Sequence, residues 1–449
     1  MENRPILVVL LLSCVTIGTT HALESHVDLV GGVEYSDNAN QNRNDGSSEI
    51  EERVGVGLTI LENLPNLYVD GQYTASAVNY GRDTSSNQTV VVGRSSLVWT
   101  PLPNRFSWSL DHQIEDSRRD SRQNDIPDNR ETRNIVNTGP LFSLGISPVD
   151  VLSAGVTYSI VRFEDSEDSD SDRITGQLSW NHQLNATRSL GTTVQYADVK
   201  FDNDANDITD NDIDGLIDNG TNDLTDNGED DLEIYSAFFT FATQLPNGQY
   251  NLQLGGNRVE RSTGDDNDGV YFVLAYDNIF RGNPISITAS RRLSDSSLGS
   301  GINAASGIGS RANDTNFDVA DVVEITRVAL SYSMFQFCQG CELGTELSYN
   351  KLDYDTEPRD EDSIRLTTRF RYALNNHWGV IGGLDYEHVE FTNNDAKDNN
   401  SSVTLGSDYQ FSERFVVTLL ATHERRDGNE DDREFTGNRV TLSVVYPIW

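Results

Sequence analysis

The residues best placed for chemistry lie in an acidic run over 202–233, which holds 13 Asp or Glu and no Lys or Arg. Inside it, Asp210, Asp212, Asp214 and Asp218 follow a D-x-D-x-D-G spacing. That pattern gathers carboxylates round a hard cation such as Ca2+, with Gly215 making the sharp bend. The twelfth position, where an EF-hand carries Glu, is Thr221, and no flanking helices are evident. A solvated acidic loop is the plainer reading and a Ca2+ site the sharper one; no other cofactor is expected. A second set consists of Arg365, Arg369 and Arg371, followed by Asp385, Glu387 and then Asp408, each in the polar phase of an alternating segment. Such charges build either a ladder of cross-strand ion pairs or a selective constriction. Enzyme chemistry is not expected, because His112, His182, His377, His388 and His423 are scattered and no G-x-S-x-G or H-E-x-x-H occurs.

Those charges must be positioned by strands. The chain has 449 residues, 36% of them hydrophobic, and a formal net charge of −38. So acidic a surface repels phosphate and argues against nucleic acid as a partner. No stretch after the N-terminus reaches the roughly 18 apolar residues of a spanning helix. Residues 1–22 read as an export signal, with Arg4, the apolar stretch Pro5 to Ile17, and cleavage after Ala22. A looser alternative is lipid attachment at Cys14. Cys338 and Cys341 are then the two cysteines left, and in an exported protein they suit a small disulfide better than a metal site.

From residue 26 onward, segments of about ten residues alternate apolar and polar, the period of a strand with two unlike faces. Val54, Val56, Leu58 and Ile60 make one such face; Val440, Leu442, Val444, Tyr446 and Ile448 make the last. About 20 segments (18–20) are expected. Short turns such as 63–66, 101–104, 147–150, 245–248, 375–376 and 412–413 alternate with longer acidic loops around 37–50, 115–133, 164–172, 202–233, 294–318, 355–362, 392–400 and 427–434. Trp99, Trp108, Trp180, Trp378 and Trp449 all fall at the short-turn end. Tyr35, Tyr158, Tyr196, Tyr349 and Tyr386 fall near the long loops. Aromatic rings sorted to two levels are an interface girdle. The expected fold is all-β: a transmembrane antiparallel up-and-down barrel over 23–449, with short periplasmic turns, long acidic extracellular loops and 202–233 as an insertion. Two irregularities are expected: 232–243 is apolar on both faces, and 318–336 shifts phase near Arg327, as at a bulge.

Three stretches carry a resemblance: Val33-Glu-Tyr-Ser-Asp-Asn-Ala-Asn40, Leu97-Val-Trp-Thr-Pro-Leu-Pro-Asn104 and Arg130-Glu-Thr-Arg-Asn-Ile-Val-Asn-Thr-Gly-Pro-Leu141. Over residues 26 to 200 the chain resembles a family of Gram-negative outer-membrane β-barrels encoded beside exopolysaccharide synthesis and PEP-CTERM/exosortase systems. The resemblance implies the cell outer membrane and a link to polysaccharide export. It brings no catalytic residues. Expected partners are outer-membrane lipid and lipopolysaccharide, the barrel-assembly machinery (for which Trp449 supplies the terminal aromatic, although Pro447 departs from the usual signal) and exopolysaccharide. The leading function is a passive polar channel linked to exopolysaccharide secretion. Its rivals are a cation-preferring diffusion porin and a closed structural or adhesive barrel with Ca2+-binding loops.

Overall fold

The computed structural model describes residues 24–448 except 45, 121, 167–168, 202–230, 263–264, 298–320, 336, 357, 393–394 and 430–432. The export signal, Trp449 and the four aspartates of the candidate Ca2+ loop therefore lie outside the described residues. Twenty antiparallel strands form one closed sheet. The first ten are β1 (Glu24–Ser36), β2 (Glu49–Leu64), β3 (Leu67–Tyr80), β4 (Gln88–Leu102), β5 (Phe106–Arg118), β6 (Arg130–Gly145), β7 (Asp150–Phe163), β8 (Ser171–Asn185), β9 (Arg188–Phe201) and β10 (Leu232–Leu245). The second ten are β11 (Gly248–Arg261), β12 (Asn267–Phe280), β13 (Asn283–Asp295), β14 (Val322–Met334), β15 (Cys341–Tyr354), β16 (Glu361–Ala373), β17 (Trp378–Phe391), β18 (Ala396–Gln410), β19 (Val416–Gly428) and β20 (Phe435–Pro447). Each pairs with its sequence neighbour, and β20 pairs with β1 (Val33 opposite Leu442), so no strand is left with an open edge in lipid. Apart from short 3-10 turns such as Pro127–Asn129, the described residues contain no helix. None is long and apolar enough to cross a membrane; strands do the crossing.

The outer face is an apolar belt bounded by aromatic rings. On β17, Trp378 and Tyr386 are 46% and 42% exposed and bracket Val380, Gly382 and Leu384 on the same face. Eight residues on a strand tilted by about 40° rise roughly 20 Å, close to the ~25 Å band of outer-membrane barrels. Trp99, Trp108 and Trp180 sit at the same short-turn level, all exposed. Their N–H groups find polar partners at the interface: Trp108 Nε1 donates to Thr138 Oγ1 at 2.9 Å and Trp180 Nε1 to Asp150 Oδ1 at 3.1 Å. His182 stacks beside Trp180, an interfacial imidazole of the expected kind. His112 lies deeper in the belt, where lipid offers no hydrogen-bond partner. There its ring nitrogens meet Tyr73 Oη at 2.6 Å and Asn134 Oδ1 at 2.9 Å. Cys338 and Cys341 are bonded to each other in the β14–β15 turn.

Above the belt the pattern inverts. Inward positions become apolar and buried, as in the group formed by Val323, Ile325, Leu352 and Tyr354, while outward positions such as Glu324, Lys351 and Asp353 become charged. Once a strand leaves the bilayer its outer face meets water, so apolar residues gain by turning inward. This inversion corrects the bulge expected near Arg327: β14 keeps an unbroken register with β15 from Val323 to Met334. The irregularities that do occur lie at Trp99/Leu102 and Gln183/Asn185. It also corrects the loop bounds, because strands run on into polar stretches assigned to loops, β18 beginning at Ala396 and β6 at Arg130. Two loops, 81–87 and 262–266, were not foreseen. The double apolar character of 232–243 has its own cause. Phe238 points inward and stacks on Tyr271 at 4.4 Å across Gly255, its register partner, where a Cβ would collide with the Phe238 backbone.

Candidate functional site

The interior is polar at belt height, and its two halves differ. From β8 to β13 the inward side chains are mainly amides and hydroxyls. Gln177, Ser179 and Asn181 line β8, and Asn251 and Gln253 line β11, as their phase in the sequence predicts. Gln195 donates to Gln177 at 3.3 Å and Tyr271 Oη to Gln253 Oε1 at 3.1 Å. A space of about 720 Å³ near the periplasmic end is lined by Gln183, Gln249, Asn251, Gln253 and Thr288. Its inward charges are few: Asp277 lines that space, and Arg292 of β13 lies near Tyr271.

The other half, β15 to β20 and on through β5, carries the charges. Arg369 holds Asp385 through two bonds of 2.7 and 3.1 Å, and Thr367 adds a third at 2.9 Å. Arg371 reaches Asp408 at 2.7 Å, passing over β17 at Gly379, where any Cβ would overlap the Asp408 carboxylate. Arg369, Arg371, Asp385 and Asp408 therefore form a cross-strand ladder. Arg365 and Glu387 face each other in register but are not joined; Glu387 instead accepts a bond from Asn400 at 3.4 Å. Of the six charges singled out in the sequence, four pair and two do not.

Two segments fold into the mouth. The β5–β6 loop (119–129) docks against the far wall. Arg426 of β19 donates to Arg122 O at 3.2 Å, Gln123 O at 3.3 Å and Asn124 Oδ1 at 3.2 Å, while holding the buried Asp398. Gln41 adds a reciprocal pair with Asp125, amide to Oε1 at 3.0 Å and Nε2 to carbonyl at 3.2 Å. The loop is stiffened from within. Asp120 accepts from the Arg122 amide at 2.9 Å and its Nε at 3.1 Å, and Asn129 donates to Asp120 O at 2.9 Å. Burial alone would push the Asp120 carboxyl up, but the bonds from Arg122 outweigh it and hold the group below its ordinary range.

The second segment is the upper end of β13. It leaves β12 after Phe272 opposite Arg291, yet stays paired with β14 as far as Asp295 opposite Val322. It leans inward, where Leu293 packs with Val199, Ile234 and Val259 and fills the space opened by Gly269. Its tip reaches the opposite wall: Asp295 pairs with Arg173 of β8, and Ser297 meets Arg133 of β6 at 3.4 Å and Ser171 at 2.9 Å. Between the 119–129 loop and the β15–β20 wall remains a cavity of about 480 Å³. Its lining includes Arg118, Asp125 and Arg130 from the loop side, which sequence reasoning left in an outward loop. The available signal was the cluster Arg118, Arg119 and Arg122 in so acidic a chain. Among the described residues no group of three His, Cys, Asp or Glu could hold a metal.

Residues 362–447, covering nearly all of β16 to β20, match the family model "Putative beta-barrel porin 2". No curated protein sequence matches the chain. Among solved structures, a mutant of the ferric enterobactin receptor PfeA from Pseudomonas aeruginosa is similar at 11% identity with a TM-score of 0.48, covering 96% of this chain and 81% of that one. The outer membrane protein OpdK from Pseudomonas aeruginosa is similar at 11% identity and TM-score 0.38, covering 95% and 99%. A loop-deletion mutant of OmpT, an outer membrane protein of Vibrio cholerae, is similar at 12% identity and TM-score 0.36, covering 95% and 99%. With the closed sheet and its apolar belt, the match over β16 to β20 is that of a porin-like outer-membrane β-barrel.

Proposed function

We propose that the chain forms a passive, water-filled path across the outer membrane, narrowed at its outer mouth by the 119–129 loop and the inward end of β13. The observation that carries this is the two-sided polar lumen behind an apolar belt. Hydrated solutes pass where amides and hydroxyls replace bulk water. On the charged side Asp70, Asp111, Glu342 and Glu346 add to the paired carboxylates, so small cations are favoured over anions. Planar-bilayer recording of the purified barrel tests both parts. A steady current with a cation-selective reversal potential in a KCl gradient is expected; no current overturns the channel, and chloride selectivity overturns the preference.

The neutral half favours a second, finer reading, passage of saccharide during exopolysaccharide secretion. Hydroxyl-rich chains exchange hydrogen bonds with water for bonds to Gln and Asn at little net cost. Deletion of the gene is expected to lower secreted polysaccharide, and unchanged secretion overturns the link. Ca2+ capture by Asp210, Asp212, Asp214 and Asp218 belongs to the same proposal for the mouth; calorimetry without heat at millimolar Ca2+ removes it.

A further inference from the structure

The cavity between the 119–129 loop and the β15–β20 wall contains two arginines that the fold leaves without a direct bond, Arg365 acting on Asp385 only electrostatically. Arg118 and Arg365 both line it, and neither closes an ion pair or donates a hydrogen bond among the described residues. Arg365 Nε is shielded from solvent and has no partner. An unsatisfied charged donor costs the desolvation of that group. That cost is avoidable in a chain with 71 acidic residues. Its register partner Glu387 is available, yet turns to Asn400. The cavity as a whole is lined by six arginines and five carboxylates, a locally basic spot in an acidic protein.

We infer that this cavity is a binding site for a carboxylated saccharide, a hexuronate unit, whose carboxylate Arg365 takes through its guanidinium fork with Arg118 facing it from the loop side. A planar fork matches a carboxylate with two parallel bonds. The group taken up is a singly charged carboxylate, one per sugar unit, because Asp385, Glu387 and Glu424 line the same space and repel a doubly charged group such as phosphate. It is hydroxylated because those carboxylates, with Asn400 and Ser402, supply hydrogen-bond acceptors that a plain alkyl acid would leave unmatched. A volume of about 480 Å³ lies within the range of small-ligand sites. The inference deepens the channel reading by naming a solute class, and the two are separable by experiment.

The test is calorimetry of digalacturonate against the full-length purified barrel in detergent at low salt, with the neutral disaccharide galactobiose as comparison. Digalacturonate is expected to bind and galactobiose not. Arg365→Gln is expected to weaken binding at least tenfold, Arg118→Gln to weaken it less, and Arg365→Lys to fall between wild type and Arg365→Gln, since Lys keeps the charge without the fork. Heat-modifiable migration on a gel reports whether each variant assembles; should Arg365→Gln not assemble, Arg118→Gln and the galactobiose comparison decide. Equal binding of the two sugars, absence of digalacturonate heat, or wild-type affinity in the assembled variants overturns the site. A barrel that conducts ions without binding digalacturonate retires the site and keeps the channel. One that binds without conducting does the reverse.

Discussion

Replacing Arg426 by Gln is expected to release the 119–129 loop from the wall and raise the mean conductance. Arg426 is 4% exposed and joins two structures: it pairs with Asp398 on β18 and donates three bonds of 3.2–3.3 Å to loop acceptors. Asp398 is also paired with Arg433, so the substitution strips the loop without stranding a buried carboxylate. Glutamine is too short to span both sides. The three loop bonds are long for charge-assisted ones, so each is taken near the ordinary net value of about 1 kcal/mol. A loss of roughly 3 kcal/mol shifts the docked-to-free ratio of the loop about 100-fold. The Gln41–Asp125 pair is left to hold it, so openings are expected as bursts rather than as a permanent change. Single-channel recording is the assay: wild type at a steady level, Arg426→Gln with excursions to a higher one. If the assembled variant matches wild type in both unit conductance and current noise, the docked loop does not narrow the path.

The same loop carries a pH dependence. Because the Asp120 carboxyl is held below its ordinary 3.8, its contribution to loop docking is complete above that value and is lost as pH falls through the lowered one. Conductance is therefore expected to stay flat from neutral pH to about pH 4 and to rise only below; a rise already complete near pH 6 would assign the opening to some other group. In the neutral half, Gly255→Val is expected to lower the urea midpoint of the barrel by an amount equivalent to about 1–3 kcal/mol, because the new Cβ intrudes on the Phe238 backbone under the Phe238–Tyr271 stack. An unchanged midpoint would mean that β11 moves aside at no cost.

The barrel was legible in the sequence because lipid and water sort side chains to opposite faces every second residue. Ile364, Leu366, Phe370 and Tyr372 against Arg365, Thr367, Arg369 and Arg371 fix the orientation of β16, and pairing in register then places its neighbours. What sorts residues at belt height ceases to act above it, and there the reading failed. The acidic composition of 115–133 and 392–400 hid strand ends, and the inverted polarity of β14 imitated a bulge. The inward fold of the 119–129 loop was not legible at all. It is decided by Arg426, some 300 positions away in the chain, and nothing in the local pattern says which of several polar loops finds such a partner. The six charges stand at inward positions of β16, β17 and β18, but which of them pair depends on geometry that alternation does not encode.

That geometry also decides which charges a solute meets. Gly379 and Gly383 stand on the inner face of β17, and the absence of side chains there lets Asp408 and Arg369 lie flat against the wall. A side chain at Gly379 would displace the Asp408 carboxylate and set Arg371 free into the lumen. The glycines thus hold two arginines out of the path by keeping them paired. Arg365, one step further toward the mouth, has the larger Glu387 as its neighbour on β17 and no bond to it. The effective charge of this wall is set by what remains after pairing, and the unpaired Arg365 lies beneath the 119–129 loop.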